Sequence, residues 1–235
     1  GDYGIKVDGA GYDFPKIIQR SRKVAEASEK GVAFLMKKNK ITIINGTGSF
    51  NADKTISVKD KDGKEVEIIK SKHTIIATGA RAKSIPGIKF DEKKILSSTG
   101  AMLAQDVPAK LTVVGSGAIG MEFAYFYNAF GTDVTVIEML PQILPVEDKE
   151  ISEVVAREFK KNGIKIFTDT KTESVEVKGD KVYTTVSGKA NETFESDSVL
   201  LAIGVTGNIE NLGLENIGVT LFKNAIKVDS DYKTN

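Results

Sequence analysis

Cysteine is absent from the 235 residues, which excludes disulfides, thiolate metal sites and thiol catalysis within them. A charge excess is missing too: 33 basic side chains face 32 acidic ones, leaving no field to steer nucleic acid or anionic lipid. No apolar run approaches the roughly 18 residues that a membrane span needs, and no secretory signal peptide opens the chain. Histidine occurs once, as His73 at the head of an apolar strand-like run, with no cluster of Cys, Asp or Glu beside it. It reads as a strand-edge residue, and no metal site is expected. The remainder, 40% hydrophobic and 28% charged, is ordinary for a globular chain with one large domain or two modest ones.

The chain reads as two similar halves. Asp13-Phe14-Pro15 is a helix start, with Asp as cap and Pro in the first turn. An apolar stripe of Phe14, Ile17, Ile18, Val24, Val32 and Leu35 then runs to about Lys40. Strand-like pieces follow at 41–44, 55–59, 66–69 and 74–77, with a hairpin turn in "KDKDGKE" at Gly63. The second half repeats the order: a helix from Asp148 stopped by Asn162-Gly163, a strand at 164–167, and a hairpin pairing 174–177 with 181–186 through Gly179-Asp180. "SDSVLLAIGV" echoes "SKHTIIATGA". Ile41 to Gly79 is 38 positions and Ile164 to Gly204 is 40, as expected of two copies of one unit. The lysine clusters Lys37-Lys38-Asn39-Lys40 and Lys160-Lys161 fall at the ends of the helical patterns, where the helix dipole favours cations.

The copies differ upstream. Before the second stands "LTVVGSGAIGMEFAYFYNAFGTDVTVIE", residues 111–138; before the first stand only residues 1–13. The expectation is a matching glycine-loop unit upstream of Gly1, with this chain an internal piece of a longer protein. A G-x-G-x-x-G is a weak sign alone, but this one has its full context. "LTVVG" reads as a buried parallel strand. Gly115 makes the tight turn, Gly117 lets backbone approach a pyrophosphate, and Gly120 lets helix and strand pack closely. The helix from about Gly117 to Phe130 offers its N-terminal N–H groups to phosphate. Glu138 ends the next strand, where an acid accepts hydrogen bonds from the adenosine ribose. A 2′-phosphate at that acid would cost about 4 kcal/mol per like-charge pair at 4 Å and an effective dielectric of 20. Met139, Leu140 and Pro141 bring no cation, so NAD(H) is expected over NADP(H).

The chain resembles the pyridine nucleotide-disulfide oxidoreductases, and most closely their lipoamide branch. The resemblance rests on "TIIATGARAKSIPGI" (74–88), "ILSSTGAM" (95–102), "LTVVGSGAIGMEFA" (111–124), "DVTVIEMLPQILP" (133–145) and "VLLAIGVTGNIENLGLENIGV" (199–219), in the family's order. It implies an α/β fold of Rossmann-like dinucleotide-binding domains, each a parallel sheet with helices and an inserted three-stranded antiparallel meander. Residues 1–84 would be a partial FAD-binding domain, 85–106 a linker, 107–208 an NAD-binding domain, and 209–235 a tail returning towards the FAD domain. The redox cysteine pair, a catalytic His–Glu pair and the dimer-forming domain would lie outside these residues.

By position, the resemblance assigns Gly115, Ser116, Gly117, Ala118, Ile119, Gly120 and Met121 to the pyrophosphate loop and Glu138 to the ribose. It assigns Thr172 to the adenine side and Gly204 to the nicotinamide end. Gly48 matches a small residue at the FAD adenine; Thr78, Gly79 and Ala80 match the flavin-lining end of "ATG". Glu122 matches an acid that pairs with a Lys beside the flavin, a Lys this chain does not contain. Many members carry an Arg or Arg-x-Pro after the AIG glycine, where this chain reads "GVTGN". The implied activity is oxidation of protein-bound dihydrolipoamide, with electrons passing through a disulfide and FAD to NAD⁺; without the cysteines this chain alone is expected to be inactive. Lipoyl domains of 2-oxo acid dehydrogenase complexes would be partners of a homodimeric parent in bacterial cytoplasm or the mitochondrial matrix. Two alternatives stand: an NADH oxidase or peroxidase of the same build, and a non-catalytic NAD(H)-binding module.

Overall fold

The computed structural model describes Gly9 and residues 11–235. Residues 1–8 and 10, the start of the expected 1–84 region, lie outside the described residues. In chain order the elements begin with α1 (Phe14–Lys38), β1 (Thr47–Phe50), β2 (Ile56–Lys59), β3 (Glu65–Ile69) and β4 (Ala80–Ala82). Next come β5 (Ile95–Leu96), α2 (Ser98–Leu103), β6 (Lys110–Val114), α3 (Ala118–Ala129), β7 (Asp133–Ile137) and α4 (Lys149–Lys161). The chain continues through β8 (Lys165–Phe167), β9 (Thr170–Lys178), β10 (Lys181–Gly188), β11 (Thr193–Ser196) and β12 (Ser198–Leu201). It ends in β13 (Val205–Gly207), a short 3₁₀ turn, β14 (Leu221–Phe222) and β15 (Ala225–Ile226). Two compact units result. One holds the described residues up to Glu29 with Lys83–Gly204, the other Lys30–Ala82 with Val205–Asn235.

The first unit is built on a parallel sheet in the order β5-β12-β6-β7-β8. Its strands are apolar on both faces because both faces are covered, the condition under which parallel strands lose polar alternation. Leu111, Val113, Val134 and Val136 pack with Met121, Ala124 and Tyr127 of α3. Their neighbours Val114, Val199 and Leu201 point the other way, onto Val175 and Val182 of an antiparallel meander ordered β11-β10-β9. The sheet is thus the middle of three layers. Local signals fix the helix ends as the sequence reading expects. Asp148 caps α4 by accepting the Glu150 N–H at 2.9 Å, and Lys160 and Lys161 sit in its last turn. Asp13 likewise accepts the Lys16 N–H at 3.1 Å at the head of α1, whose last turn carries Lys37 and Lys38.

The second unit has a three-stranded antiparallel sheet, β1-β2-β3, with its hairpin turn at Gly63. Two ribbons, β4 with β13 and β14 with β15, complete it. Here the sequence reading needs correction: 41–44 and 74–77 form no ladder, whereas β1, outside every expected strand, does. A parallel strand needs a hydrogen-bonding neighbour and cover on both faces, and the described residues supply no ladder partner for either stretch. Ile41, Ile43 and Ile75 are accordingly 52%, 56% and 90% exposed. No helix among the described residues is long and apolar enough to cross a membrane.

Candidate functional site

Strand order in the parallel sheet reverses at β6, which has β7, its successor, on one side and β12, the last strand, on the other. All three run parallel, so the loops leaving their C-terminal ends open a crevice, the usual ligand position in such sheets. A cavity of about 720 Å³ lies there, within the first unit. Of the residues expected at it, Gly115, Ser116, Gly117, Ala118, Ile119, Glu138, Thr172 and Gly204 line it. Gly120 and Met121 do not; both are buried beneath the loop, and Met121 is part of the core under α3.

The glycines have different causes. Gly115 sits at φ +96°, and a Cβ there would meet the Ala202 carbonyl oxygen at 2.5 Å. A Cβ on Gly120 would run into the Gly115 carbonyl, so helix and strand could not close together. At Gly117, by contrast, nothing lies within 4 Å of the Cβ position. Its missing side chain therefore leaves room on the cavity side. Gly117 caps α3 without a side-chain bond, and the first helical bond runs from the Met121 N–H to the Gly117 carbonyl at 3.0 Å. The N–H groups of Ala118, Ile119 and Gly120 precede that bond and have no partner within the helix, an arrangement suited to an anion.

Glu138 is 7% exposed, and both of its carboxylate oxygens accept hydrogen bonds from the chain. Its Oε2 accepts the Ser116 N–H at 2.9 Å and the Ser116 hydroxyl at 2.8 Å; its Oε1 accepts the Leu140 N–H at 2.9 Å. Hydrogen bonds to a carboxylate are among the stronger ones, and three of them hold this one in one orientation at the cavity wall. Ser116, expected to serve the phosphates with the rest of the loop, turns both of its donors onto Glu138 instead.

Thr172 presents a different signal: its Oγ1 is buried with no hydrogen-bond partner among the described residues. Buried hydroxyls are nearly always paired, yet those of Thr184 and Ser196, which do not line the cavity, are orphaned in the same way. Gly204 is joined to Lys83, whose N–H donates to the Gly204 carbonyl at 3.0 Å. Lys83 and Lys171 both line the cavity, the ammonium of Lys171 lying 2.9 Å from Glu173 Oε2. Neither lysine stands out in the sequence. Both are far from the glycine loop along the chain, Lys83 within the quoted stretch 74–88 and Lys171 in none of the quoted stretches; only folding brings them to it.

The second unit gathers the other expected residues. Gly48 and Thr78 line a cavity of about 540 Å³ there, whereas Gly79 and Ala80 do not. Thr78 and Asn208 exchange bonds, the Thr78 hydroxyl donating to the Asn208 carbonyl at 2.7 Å and Asn208 Nδ2 to the Thr78 carbonyl at 3.0 Å. Gly79, at φ +74°, accepts the Asn208 N–H at 3.0 Å, and Ala80 pairs with Gly207 in the β4–β13 ribbon. Arg81 of β4 reaches across to Asn208 Oδ1 at 2.9 Å and to Glu210 Oε2 at 3.0 Å. The stretch "GVTGN", where many family members carry an arginine of their own, thus receives one from β4. The Arg81 guanidinium holds the Glu210 carboxyl down to about 2.

Glu122 stands apart from both cavities. It is exposed on α3 and borders a third space of about 430 Å³ with Arg22, Phe123 and Tyr125. His73 is exposed.

Residues 6–235 match the family described as Pyridine nucleotide-disulphide oxidoreductase. The chain is 40% identical over 236 residues to the mitochondrial dihydrolipoyl dehydrogenase of Schizosaccharomyces pombe, covering 99% of this chain and 46% of that protein. It is 40% identical over 235 residues to the dihydrolipoyl dehydrogenase of Zymomonas mobilis, covering 99% and 50%. Among solved structures it is similar to LpdA from Mycobacterium tuberculosis, with TM-score 0.83, 27% identity, and 92% of this chain and 48% of that one covered. The Cu(II) complex of a mutant of the HOCl-induced flavoprotein disulfide reductase RclA from Escherichia coli gives TM-score 0.82 at 26% identity, covering 95% and 50%. The chain spans about half the length of the curated relatives it matches.

Proposed function

The chain belongs to the pyridine nucleotide-disulphide oxidoreductases, and from that membership we propose that it is the NAD-holding portion of a flavoprotein that oxidises protein-bound dihydrolipoamide. The observation that carries the proposal is the clamped Glu138 beside the glycine loop at the reversal point of the sheet. The pair NAD⁺ and FAD would supply hydride transfer to this protein. The chain's own part is to bind and orient. The N–H groups at the head of α3 face a pyrophosphate, Glu138 accepts from a ribose hydroxyl, and the orphan Thr172 hydroxyl gains a partner. Gly204 leaves the far wall open to the nicotinamide end. Glu138 also disfavours a 2′-phosphate, since like charges at a buried carboxylate repel.

The division into a partial FAD domain (1–84), linker (85–106), NAD domain (107–208) and returning tail (209–235) belongs to the same proposal. So do FAD contact through Gly48, Thr78, Gly79 and Ala80, and pairing of Glu122 with a lysine of the parent protein. Lipoyl domains as partners, a homodimeric parent, and a bacterial cytoplasmic or mitochondrial matrix setting complete it; the relatives' names include a mitochondrial protein and bacterial ones.

Titration of NADH and NADPH into the chain, read by nicotinamide fluorescence, tests the site. NADH should bind and NADPH should bind at least about tenfold more weakly, a difference of roughly 1.4 kcal/mol. Glu138→Ala should weaken NADH and narrow the ratio. Equal affinity for the two nucleotides in the unaltered chain would overturn the ribose role of Glu138, and no binding of either would overturn the site.

A further inference from the structure

Ser116 has a job that the glycine-loop pattern does not assign to its position. That pattern gives roles to the three glycines and none to the residue between the first two. Here both the N–H and the hydroxyl of Ser116 end on one oxygen of Glu138, at 2.9 and 2.8 Å, in a side chain with 0% exposure. The other carboxylate oxygen is held by the Leu140 N–H at 2.9 Å. A glutamate has three rotatable side-chain bonds, and unaided it samples several rotamers at the mouth of a cavity. With two donors on one oxygen and one on the other, the carboxylate plane is set before any ligand arrives. Each oxygen accepts from more than one direction, so lone-pair capacity remains for a ligand hydroxyl on the cavity side.

We propose that Ser116 is a positioning residue that aims the Glu138 carboxylate at the adenosine ribose and so sharpens the choice between a 2′-hydroxyl and a 2′-phosphate. The proposal rests on the nucleotide-binding reading of the site and assigns Ser116 a role in specificity rather than in phosphate contact. Glu138→Ala strips three donors of their acceptor, so it disturbs the loop as well as the ribose contact.

The test separates orientation from mere support of the loop. NADH and its analogue lacking the adenosine 2′-hydroxyl are titrated into the chain and into its Ser116→Ala variant, with fluorescence as the readout and thermal melts alongside. Ser116→Ala should lose about fivefold to tenfold in NADH affinity, the effect of one charge-assisted hydrogen bond shared through Glu138. It should lose less than about twofold for the deoxy analogue, which cannot use the aimed carboxylate. In Glu138→Gln, adding Ser116→Ala should cost NADH no more than about twofold, because the two act as a unit. An equal loss for both ligands, or no loss for either, overturns the positioning role while leaving the nucleotide reading intact. If the unaltered chain binds NADH no better than the deoxy analogue, the ribose contact itself is wrong and the role of Ser116 falls with it. Should Ser116→Ala melt too early to titrate, Ser116→Gly, which also removes the hydroxyl, decides: an unchanged NADH-to-deoxy ratio there overturns the proposal, and a loss confined to NADH supports it.

Discussion

Tyr127 shows how much one residue carries under the loop. Its ring is fully buried among Phe14, Phe123 and Phe126, and its hydroxyl donates to the Ala101 carbonyl at 2.7 Å. Burial pushes the phenol up to about 12 from its ordinary 10.0. The folded chain then holds this proton more tightly than the unfolded one. The resulting stabilisation is complete below pH 10, where both states keep the proton, and is lost as pH rises through 12. Tyr127→Phe should lower stability by about 1 kcal/mol at neutral pH and flatten the alkaline fall, as read by urea unfolding across that pH range. Gly120→Ala should cost more, about 1–3 kcal/mol of overpacking strain, because its Cβ would meet the Gly115 backbone, which cannot rotate away as a side chain could. A variant as stable as the parent would mean that the loop yields.

At the scale of elements, the parallel sheet and the unpaired stretches of the second unit should behave differently. β6, β7 and β12 are paired on both sides and buried on both faces, whereas 41–44 and 74–77 lack ladders. Hydrogen exchange should therefore be slowest at Val113, Val136 and Leu200 and fast at Ile43 and Ile75, since protection follows stable hydrogen bonding. Protection of Ile75 equal to that of Val136 would contradict the pairing described. The β4–β13 ribbon is held by Arg81, which lowers Glu210 chiefly through their hydrogen bonds. A lowered carboxyl favours the folded state above its unfolded value of 4.5, and that contribution disappears as pH falls through about 2. Arg81→Gln should return Glu210 to the ordinary carboxylate range, visible in an NMR titration of its side chain.

For the molecule as a whole, the glycine-loop cavity is lined from one compact unit alone, while the 235 residues hold no thiol. Supplied with dihydrolipoamide, FAD and NAD⁺, the chain should bind nucleotide yet form no NADH, because no sulfur nucleophile is present to take up the dithiol's electrons. Turnover by the chain alone would overturn its reading as the nucleotide-holding part of a thiol-oxidising protein. Binding of NADH without turnover would agree with that reading.

Much of this was legible in the residues because the causes are local. Asp13 and Asp148 announce helix starts, the apolar runs at 111–114 and 134–137 announce covered strands, and the spacing of Gly115, Gly117 and Gly120 follows from a turn, a free approach and a close contact. The acid at 138 is readable for the same reason, since a strand of known length puts it at that strand's C-terminal end. Ladder formation is not local: 41–44 and 74–77 have the apolar, β-branched look of strands, but a strand exists only where a neighbour accepts its hydrogen bonds. The partnership of Ser116 with Glu138, the orphaned hydroxyl of Thr172, and the arrival of Lys83 and Lys171 at the cavity depend on contacts between distant segments. Sequence by itself determined the loop, its helix and its acid, through backbone sterics and short-range hydrogen bonding. Tertiary structure alone decided which donors hold that acid and which side chains share its cavity, because those are matters of distance in space.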